Sequence, residues 1–183
     1  MVEIRWHGRG GQGAVTSAEL IAQAAIAEGK YAQAFPSFGP ERRGAPVLAF
    51  TRVSAKEPVR IRAEITKPNA VVVLDPSLME IVDVTAGLKE HGFLVVNTKK
   101  TVEQISARFP GKWQVATVDA TRIAKELLGV PITNTTMVGA VLKATGVVNL
   151  ESIAEPLKAR FGKLAEKNFA AMKRAYEETV IKE

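Results

Sequence analysis

Cysteine is absent from this sequence of 183 residues. Its absence excludes disulfide bonds, cysteine nucleophiles, and zinc or iron–sulfur centres held by thiolates of this chain. The only two histidines, His7 and His91, are far apart in the sequence and do not form a metal-ligand pair. We therefore expect neither a metal site nor a covalent catalyst within the chain.

Long apolar runs are missing as well. A transmembrane helix needs about 20 mostly apolar residues, and no stretch of this sequence approaches that length. Residues 1–6 contain no apolar segment of the kind found in a signal peptide. These absences predict a soluble, cytoplasmic protein that does not enter a membrane.

Composition and charge are those of a folded domain with a basic surface. Apolar residues make up 46% of the sequence, and 25 basic residues against 19 acidic ones give a net charge of +6. A basic surface can bind nucleic acid, an anionic ligand or an acidic protein. Because the basic residues are spread along the chain without a nucleic-acid recognition motif, charge alone is weak support for nucleic-acid binding.

The hydrophobic pattern alternates between strand-like and helix-like segments. Apolar runs typical of buried strands occur at residues 70–74, 93–96 and 113–118, and helix-forming stretches occupy residues 13–28 and 119–128. Capping-box spacings at Ser77 and Glu80 and at Thr101 and Gln104 predict two further helix starts. This order predicts a Rossmann-like α/β fold, with a mostly parallel sheet and helices on both faces.

The remaining segments complete a single domain over residues 1–183. We expect strands at residues 2–7 and 47–53, a possible edge strand at residues 60–62, and loop over much of residues 31–50. From about residue 135 to residue 183 the pattern is helical only. The last segment has an apolar stripe at three- and four-residue steps, which predicts a helical tail packed on the sheet. Its members are Leu164, Phe169, Met172, Tyr176 and Val180.

The most informative motif is the glycine loop, Gly8-Arg9-Gly10-Gly11-Gln12-Gly13, which follows a predicted strand and opens a predicted helix. Glycine allows a tight turn and lets backbone N–H groups approach a phosphate without obstruction by Cβ. The helix N-terminus adds about half a positive charge, which favours an anion. A turn without a ligand is the alternative, but four glycines in six residues exceed what a turn needs.

Two familiar nucleotide sites do not match this loop. A nicotinamide dinucleotide site requires an acidic residue about 20 positions further on, where this chain has Tyr31-Ala32-Gln33-Ala34-Phe35-Pro36. A P-loop requires Lys and then Ser or Thr after its second glycine, where this chain has Ala14 and Val15. We therefore do not expect ATP hydrolysis, whereas another phosphate-bearing ligand stays open.

Two further motifs carry candidate ligand contacts. Residues 35–46 (Phe-Pro-Ser-Phe-Gly-Pro-Glu-Arg-Arg-Gly-Ala-Pro) place Arg42 and Arg43 in a loop shaped by proline and glycine. Paired guanidinium groups suit phosphate or carboxylate, and an ion pair of Glu41 with one arginine is the alternative. Asn134 opens the segment Asn-Thr-Thr-Met-Val-Gly-Ala at residues 134–140. Its side chain is a natural helix N-cap, and ligand contact by its amide is the second possibility.

Polar residues also follow the predicted strands. In an open α/β sheet the carboxyl ends of parallel strands line one crevice, which would include the glycine loop. Helix capping is the simpler function for Ser77 and Asp119. The complete set is Asp75, Ser77, Asn97, Thr98, Lys99, Lys100 and Asp119.

In this order and at these separations, the glycine loop, residues 38–44 and residues 134–140 resemble the gamma subunits of pyruvate:ferredoxin oxidoreductase, within the 2-oxoacid:ferredoxin oxidoreductase family. The similarity extends from Ile4 to about Tyr176. The form Pro-Glu-Arg-Arg-Gly-Ala-Pro at residues 40–46 is more similar to pyruvate-type than to indolepyruvate-type members.

The resemblance implies a subunit of an enzyme that converts pyruvate, coenzyme A and oxidised ferredoxin into acetyl-CoA, carbon dioxide and reduced ferredoxin. Thiamine diphosphate and iron–sulfur clusters would lie on alpha, beta and delta type partner subunits, because this chain lacks cysteine and a Gly-Asp-Gly…Asn-Asn signature. The corresponding domain in this family is associated with coenzyme A. The resemblance therefore implies coenzyme A contacts from Gly8, Gly10, Gly11, Gln12, Gly13, Arg42, Arg43, Lys99 and Asn134.

Three alternatives accompany this interpretation. The same subunit type serves oxidoreductases for 2-oxoisovalerate or 2-oxoglutarate. A free-standing flavin- or nucleotide-binding protein with a Rossmann-like fold would explain the glycine loop alone, and a basic nucleic-acid-binding module would explain the charge alone.

Overall fold

The computed structural model describes residues 1–37 and 42–182, so that Phe38, Gly39, Pro40 and Glu41 of the arginine-bearing loop lie outside the described residues. The strands are β1 (Val2–Arg9), β2 (Tyr31–Pro36), β3 (Pro46–Ser54), β4 (Ala70–Val73), β5 (Phe93–Asn97), β6 (Gln114–Val118) and β7 (Val180–Lys182). The α-helices are α1 (Ala14–Ala27), α2 (Val102–Arg108), α3 (Ala120–Leu128), α4 (Asn134–Thr145), α5 (Ala154–Phe161) and α6 (Ala165–Glu178). Short 3-10 helices cover Pro76–Glu80, Leu150–Ile153 and Gly162–Leu164.

The strands form one seven-stranded sheet in the order β2-β3-β1-β4-β5-β6-β7. Its core is parallel, because β1 pairs with β4, β4 with β5 and β5 with β6 in the same direction. β3 runs antiparallel to both β1 and β2, and β7 runs antiparallel to β6. The predicted mixed α/β fold with a mostly parallel core is confirmed. The carboxyl ends of four core strands therefore meet at one edge, beside the glycine loop.

Because side chains alternate along β1, every second residue faces the sheet side that α1 covers. Ile4 and Trp6 are fully buried on that face, in one cluster with Ala18 and Ile21 of α1. The indole N–H of Trp6 donates to Thr51 Oγ1 at 3.1 Å, so that this large side chain is buried without an unsatisfied polar atom. The alanine-rich face of α1 lets the helix lie close to the strands.

α4 lies between the sheet and α6. Every residue from position 134 to position 142 is buried, as expected for a helix covered on all sides. The hydrophobic residues of α6 pack onto α4, with Ala171, Met172 and Ala175 inaccessible to solvent. The opposite face of the sheet is covered by α2 and by residues 76–92, which enclose a second cluster that includes Val73, Leu94 and Ile105.

Local capping signals gave mixed results. The capping box of Thr101 and Gln104 is confirmed at the start of α2, with both reciprocal hydrogen bonds present. The second capping box is wrong, because Pro76–Glu80 forms a 3-10 helix capped by Asp75, whose carboxylate accepts from the Ser77 N–H at 3.0 Å. Asp119 caps α3 by accepting from the Arg122 N–H at 2.9 Å.

Two expectations at the sheet edges are also wrong. Residues 60–62 form no strand, and the carbonyl of Ile61 instead accepts from the buried Arg52 guanidinium at 3.2 Å. Residues 180–182 form the edge strand β7 rather than the end of a helix. The predicted apolar stripe is shorter than expected at both ends, since Leu164 at its start is 58% exposed and Val180 at its end is 57% exposed.

The other face of β1 carries four charged or polar residues: Glu3, Arg5, His7 and Arg9. Glu3 and Arg9 have ion-pair partners of opposite charge, whereas the Arg5 Nε–H donates to His7 Nε2 at 3.1 Å. Burial and the charge of Arg5 lower the pKa of His7 to about 3, although the Asp83 carboxylate acts in the opposite direction. His7 is therefore a neutral imidazole near neutral pH.

We expect the neutral state of His7 to make the fold acid-sensitive. The imidazole keeps an ordinary pKa near 6.5 in the unfolded chain and about 3 in the folded one, so its contribution is present above pH 6.5 and is lost as the pH falls. The slope of unfolding free energy approaches about 1.4 kcal/mol per pH unit. Urea unfolding at pH 6.5, 5.75 and 5 measures this slope, and the comparison with a His7 variant separates it from the carboxylates that begin to protonate near pH 5.

His7→Gln retains an acceptor for Arg5 and is expected to flatten this dependence, while His91→Gln at an exposed position leaves it in place. The charged groups that share the surroundings of His7, namely Arg5, Glu64 and Asp83, are unchanged in both variants. Equal slopes for wild type and His7→Gln between pH 6.5 and pH 5 would contradict the assignment.

Candidate functional site

The glycine loop is joined to residues 42–45, called the arginine segment here, by backbone hydrogen bonds. The Gly10 N–H donates to the Ala45 carbonyl at 2.9 Å, and the Gly44 N–H donates to the Gly10 carbonyl at 3.1 Å. A Cβ on Gly10 would overlap the Arg42 carbonyl group, with its carbon only 2.9 Å away. Glycine is required at position 10 because the two segments approach so closely.

Two glycines of the loop adopt positive φ. Gly11 has φ 88° and is exposed, and no described residue other than its chain neighbours has an atom within 4 Å of the place that a Cβ would occupy. Gly13 has φ 79° and is the N-cap residue of α1. This backbone conformation strains other residue types. Gly8 differs from both, because it is buried in β1 between Leu74 and Ala14.

Polar side chains hold the glycine loop against the end of β4. Gln12 accepts from the Arg9 N–H at 2.7 Å through Oε1 and donates to Asp75 Oδ2 at 2.9 Å through Nε2. Arg9 donates to Asp75 at 3.2 Å and to Ser77 Oγ at 2.8 Å. Burial raises the pKa of Asp75, but hydrogen bonds from Ser77 and Gln12 and the charge of Arg9 outweigh it, so the pKa is lowered. Gln12 therefore fixes the shape of the loop.

Two helix N-termini converge at the glycine loop. The Asn134 side chain at the start of α4 packs directly on Gly13 at the start of α1, because a Cβ on Gly13 would lie 2.9 Å from Asn134 Cγ. Ser17 Oγ of α1 donates to the Asn134 carbonyl at 3.0 Å. Neither positive helix end is therefore compensated by a side-chain cap or by an acidic residue of its own first turn.

Asn134 is not the N-cap that the sequence indicated. Thr133 occupies that position, and Asn134 is the first residue of α4. Asn134 is 6% exposed. Its side-chain amide has no hydrogen-bond partner among residues 1–37 and 42–182. In the same first turn, the Thr136 hydroxyl is buried without a partner in the described part of the chain. Unsatisfied polar groups of this kind favour a ligand that completes them.

The paired arginines lie at the rim of this site. Arg42 and Arg43 are both exposed, and neither guanidinium forms an ion pair with a residue that the structure describes. An ion pair with Glu41 falls outside the described residues. The backbone bridge between Gly10 and Arg43 places Arg43 beside the glycine loop. The segment beside the glycine loop thus carries two cationic side chains that have no ion-pair partner among residues 1–37 and 42–182.

Other strand-end residues do not join this cluster. Lys99 follows β5, two strands from β1, which corresponds to roughly 10 Å across the sheet. It lines a cavity of about 470 Å³ together with Arg122 and Glu178. The Asn97 side chain donates to the Leu74 carbonyl at 3.0 Å and to Thr121 Oγ1 at 3.0 Å, so it ties the strand ends together. Only an extended ligand can contact both the glycine loop and Lys99.

Arg9 and Asp75 are the residues that motif reasoning undervalued. Arg9 lies within the glycine motif, and Asp75 follows β4, which is the parallel neighbour of β1. Their pairing could have been inferred by placing the ends of adjacent parallel strands side by side. Among residues 1–37 and 42–182, no His, Asp or Glu cluster has the grouping of a metal site. Across the same residues, no helix has the length and apolar character needed to cross a bilayer.

Comparisons with known proteins identify the family of the chain. Residues 3–178 match the model of the pyruvate ferredoxin/flavodoxin oxidoreductase family. The chain is 58% identical to the pyruvate/ketoisovalerate oxidoreductases common subunit gamma of Thermococcus litoralis, over the full length of both proteins. It is 52% identical to the pyruvate synthase subunit PorC of Methanothermobacter marburgensis, over 97% of each chain.

Solved structures give the same result. The crystal structure of the pyruvate oxidoreductase subunit PORC from Thermotoga maritima matches with a TM-score of 0.88 and 38% identity, covering 100% of this chain and 98% of that one. A 2-oxoglutarate:ferredoxin oxidoreductase from Magnetococcus marinus, with 2-oxoglutarate, coenzyme A and succinyl-CoA bound, shares the fold. Its TM-score is 0.74 at 20% identity, over 97% of this chain and 30% of that one. The resemblance seen in the sequence is confirmed, and the chain belongs to the pyruvate ferredoxin/flavodoxin oxidoreductase family.

Proposed function

We propose that this chain is the gamma subunit of a pyruvate:ferredoxin oxidoreductase and that its glycine loop holds the phosphate groups of coenzyme A. Partner subunits of alpha, beta and delta type complete the enzyme, and ferredoxin accepts the electrons from the assembled complex. Thiamine diphosphate and iron–sulfur clusters are carried by those partners. This chain contributes binding and positioning rather than a catalytic residue.

The observation that carries the proposal is the convergence of two uncapped helix N-termini at the glycine loop. Each helix end contributes about half a positive charge, and neither is compensated by an acidic residue of its own first turn. A multiply charged anion at this point would meet both helix ends and the exposed guanidinium groups of Arg42 and Arg43. Among the substrates of this reaction, coenzyme A is the multiply charged anion, because it carries a pyrophosphate and a 3′-phosphate.

The groups available for contact divide into two kinds. The backbone at Gly11 lies beside an open surface, since no described residue other than its chain neighbours comes near a Cβ position there. The N–H groups of Gly13 and of the first turn of α1 follow it, beside the Asn134 side chain. The Asn134 amide adds a neutral hydrogen-bonding group at the same place. Gly8, Gly10 and Gln12 act indirectly, because their close packing and hydrogen bonds fix the loop. An extended coenzyme A would also come within reach of Lys99.

The absence of cysteine determines how the work is divided among the subunits. Iron–sulfur clusters are held by cysteine thiolates, and the chain has none. The donor set of this subunit therefore does not fit a cluster. In this proposal, electron transfer and the chemistry that thiamine diphosphate would supply belong to the partner chains.

A second assignment concerns the 2-oxoacid. The relative from Thermococcus litoralis is named as a subunit common to pyruvate and ketoisovalerate oxidoreductases. We infer that this chain is likewise compatible with more than one 2-oxoacid, because its proposed site recognises coenzyme A, which is the substrate that such enzymes share. Discrimination between pyruvate and 2-oxoisovalerate then lies on the other subunits.

Hydrogen exchange on the assembled complex tests the coenzyme A site. Adding coenzyme A is expected to slow amide exchange at residues 9–17, 42–45 and 133–138, since a bound ligand protects the loop and both helix ends. Residues 24–27 in the last turn of α1, at the far end of that helix, serve as an internal control, and 3′-dephospho-coenzyme A tests the contribution of the third phosphate. Protection confined to other subunits would overturn the proposed site and leave the family assignment intact.

A further inference from the structure

A cavity of about 620 Å³ lies on the face of β1 opposite α1, apart from the glycine loop. Arg5 and His7 of β1 line it together with residues of β3 and of the segments at 64–66 and 78–87. Its walls are mainly apolar and include Leu48, Phe50 and Ile65. The size and the apolar lining with a few polar groups are those of a small-molecule site.

Arg5 and His7 each have a hydrogen-bond donor at this cavity without a partner in the described part of the chain. Arg5 donates through Nε to His7 and through Nη2 to the carbonyls of Val84 and Ala86, at 3.1 and 2.7 Å. Its Nη1 has no partner among the described residues. His7 accepts at Nε2, so the proton of the neutral ring is on Nδ1, which also has no partner there. Among the described residues, Thr136 Oγ1 is the only fully enclosed side-chain nitrogen or oxygen atom without a hydrogen-bond partner. Arg5 Nη1 and His7 Nδ1 also lack a partner there, so neither atom is fully enclosed. Both are therefore accessible from the cavity.

The buried charge of Arg5 is not neutralised by contact with a carboxylate. Arg5 is 7% exposed, yet it forms no ion pair with a described residue, unlike Glu3 and Arg9 on the same strand. The Asp83 carboxylate acts on Arg5 electrostatically without contacting it as an ion pair. Asp83 is exposed, and its Oδ1 accepts from the Thr85 N–H and hydroxyl at 3.0 and 2.8 Å. A buried guanidinium without a counter-ion is costly, whereas an anion within hydrogen-bond distance offsets that cost.

We propose that this cavity binds a small monocarboxylate with an apolar body, held by Arg5 Nη1 and His7 Nδ1. The planar guanidinium matches a carboxylate, and the apolar walls accept a short hydrocarbon chain. Glu64 and Asp83 line the same cavity, and their negative charges disfavour phosphate esters and dicarboxylates. The site is independent of the glycine loop, and the proposal does not rest on coenzyme A binding.

Calorimetric titration of the full chain with sodium hexanoate, sodium butyrate and hexanamide tests the proposal. We expect hexanoate to bind more tightly than butyrate because of its longer apolar chain, and hexanamide at least tenfold more weakly because it lacks the charge. Long-range ¹H–¹⁵N spectra of the imidazole should show His7 Nδ1 shifting with hexanoate, while the exposed His91 stays unchanged.

Arg5→Met keeps the apolar stem and is expected to weaken hexanoate binding at least tenfold. Arg62→Met, the same change at an exposed position, should leave it unaffected. Val82→Phe narrows the cavity without altering Arg5 or His7 and should also reduce binding, which keeps the test valid if Arg5→Met fails to fold. Equal affinity for hexanoate and hexanamide, or undiminished binding in a folded Arg5→Met or Val82→Phe chain, overturns the proposal. So does the absence of hexanoate binding to the wild-type chain, which would indicate a partner-packing surface instead.

Discussion

Replacing Arg43 with Ala in the assembled oxidoreductase is expected to raise the coenzyme A concentration for half-maximal acetyl-CoA formation tenfold to a hundredfold. A hydrogen bond to a charged group contributes about 1.5–3 kcal/mol, and about 1.4 kcal/mol corresponds to a factor of ten. Arg43 is exposed in the free chain, where an ion pair would contribute little. A phosphate seated on the glycine loop would cover the guanidinium and remove that screening, which places the effect in the larger range.

The same variant separates binding from chemistry. Arg43 is proposed to contact coenzyme A alone, so pyruvate-dependent cluster reduction measured without coenzyme A should remain intact in Arg43→Ala. Arg60→Ala is the matched control, because Arg60 is also exposed but lies near Met1, at the opposite end of β1. If both variants require the same coenzyme A concentration as the wild type, the arginine segment does not contact this substrate.

The parts of the fold that depend on short segments were predictable from the sequence. β4, β5 and β6 are buried on both faces, and their continuous apolar runs reflect this directly. The Thr101 capping box acts within four residues, so its signal survives in the folded chain. Ser77 and Glu80 have the same spacing, but Asp75 and Pro76 precede them and favour a 3-10 turn capped by the aspartate.

The proposed site depends on contacts that no local pattern contains. Gly13 and Asn134 are far apart in sequence, and their contact arises only because α4 crosses the sheet beside α1. Asn134 was therefore interpreted as a cap, which is its commonest use at a helix start. The free nitrogens of Arg5 and His7 needed the structure as well. The sequence shows that Arg5 and His7 alternate with Ile4 and Trp6. This alternation does not show whether either residue has a hydrogen-bond partner.

The close packing of α4 against α6 leads to the second large effect, at Gly139. A Cβ at this position would overlap the Met172 carbonyl oxygen and lie 2.9 Å from the Met172 carbonyl carbon and 3.0 Å from the Tyr176 nitrogen. These are backbone atoms of α6 and cannot rotate away. Alanine is favoured over glycine within a helix by about 1 kcal/mol, but overpacking against backbone atoms that cannot move costs about 3 kcal/mol, the upper end of the usual range.

We therefore expect Gly139→Ala to destabilise the chain by about 2 kcal/mol or more, and to lower its melting temperature by about 4–8 °C at this chain length. Gly146→Ala is the control, because it makes the same exchange at the end of α4, where no atom lies within 4 Å of the Cβ position. It loses only about 1 kcal/mol through its left-handed backbone. Thermal and urea unfolding of both variants measure the difference. Helix propensity alone predicts that Gly139→Ala is the more stable protein, so a raised melting temperature would show that α4 and α6 can separate at little cost.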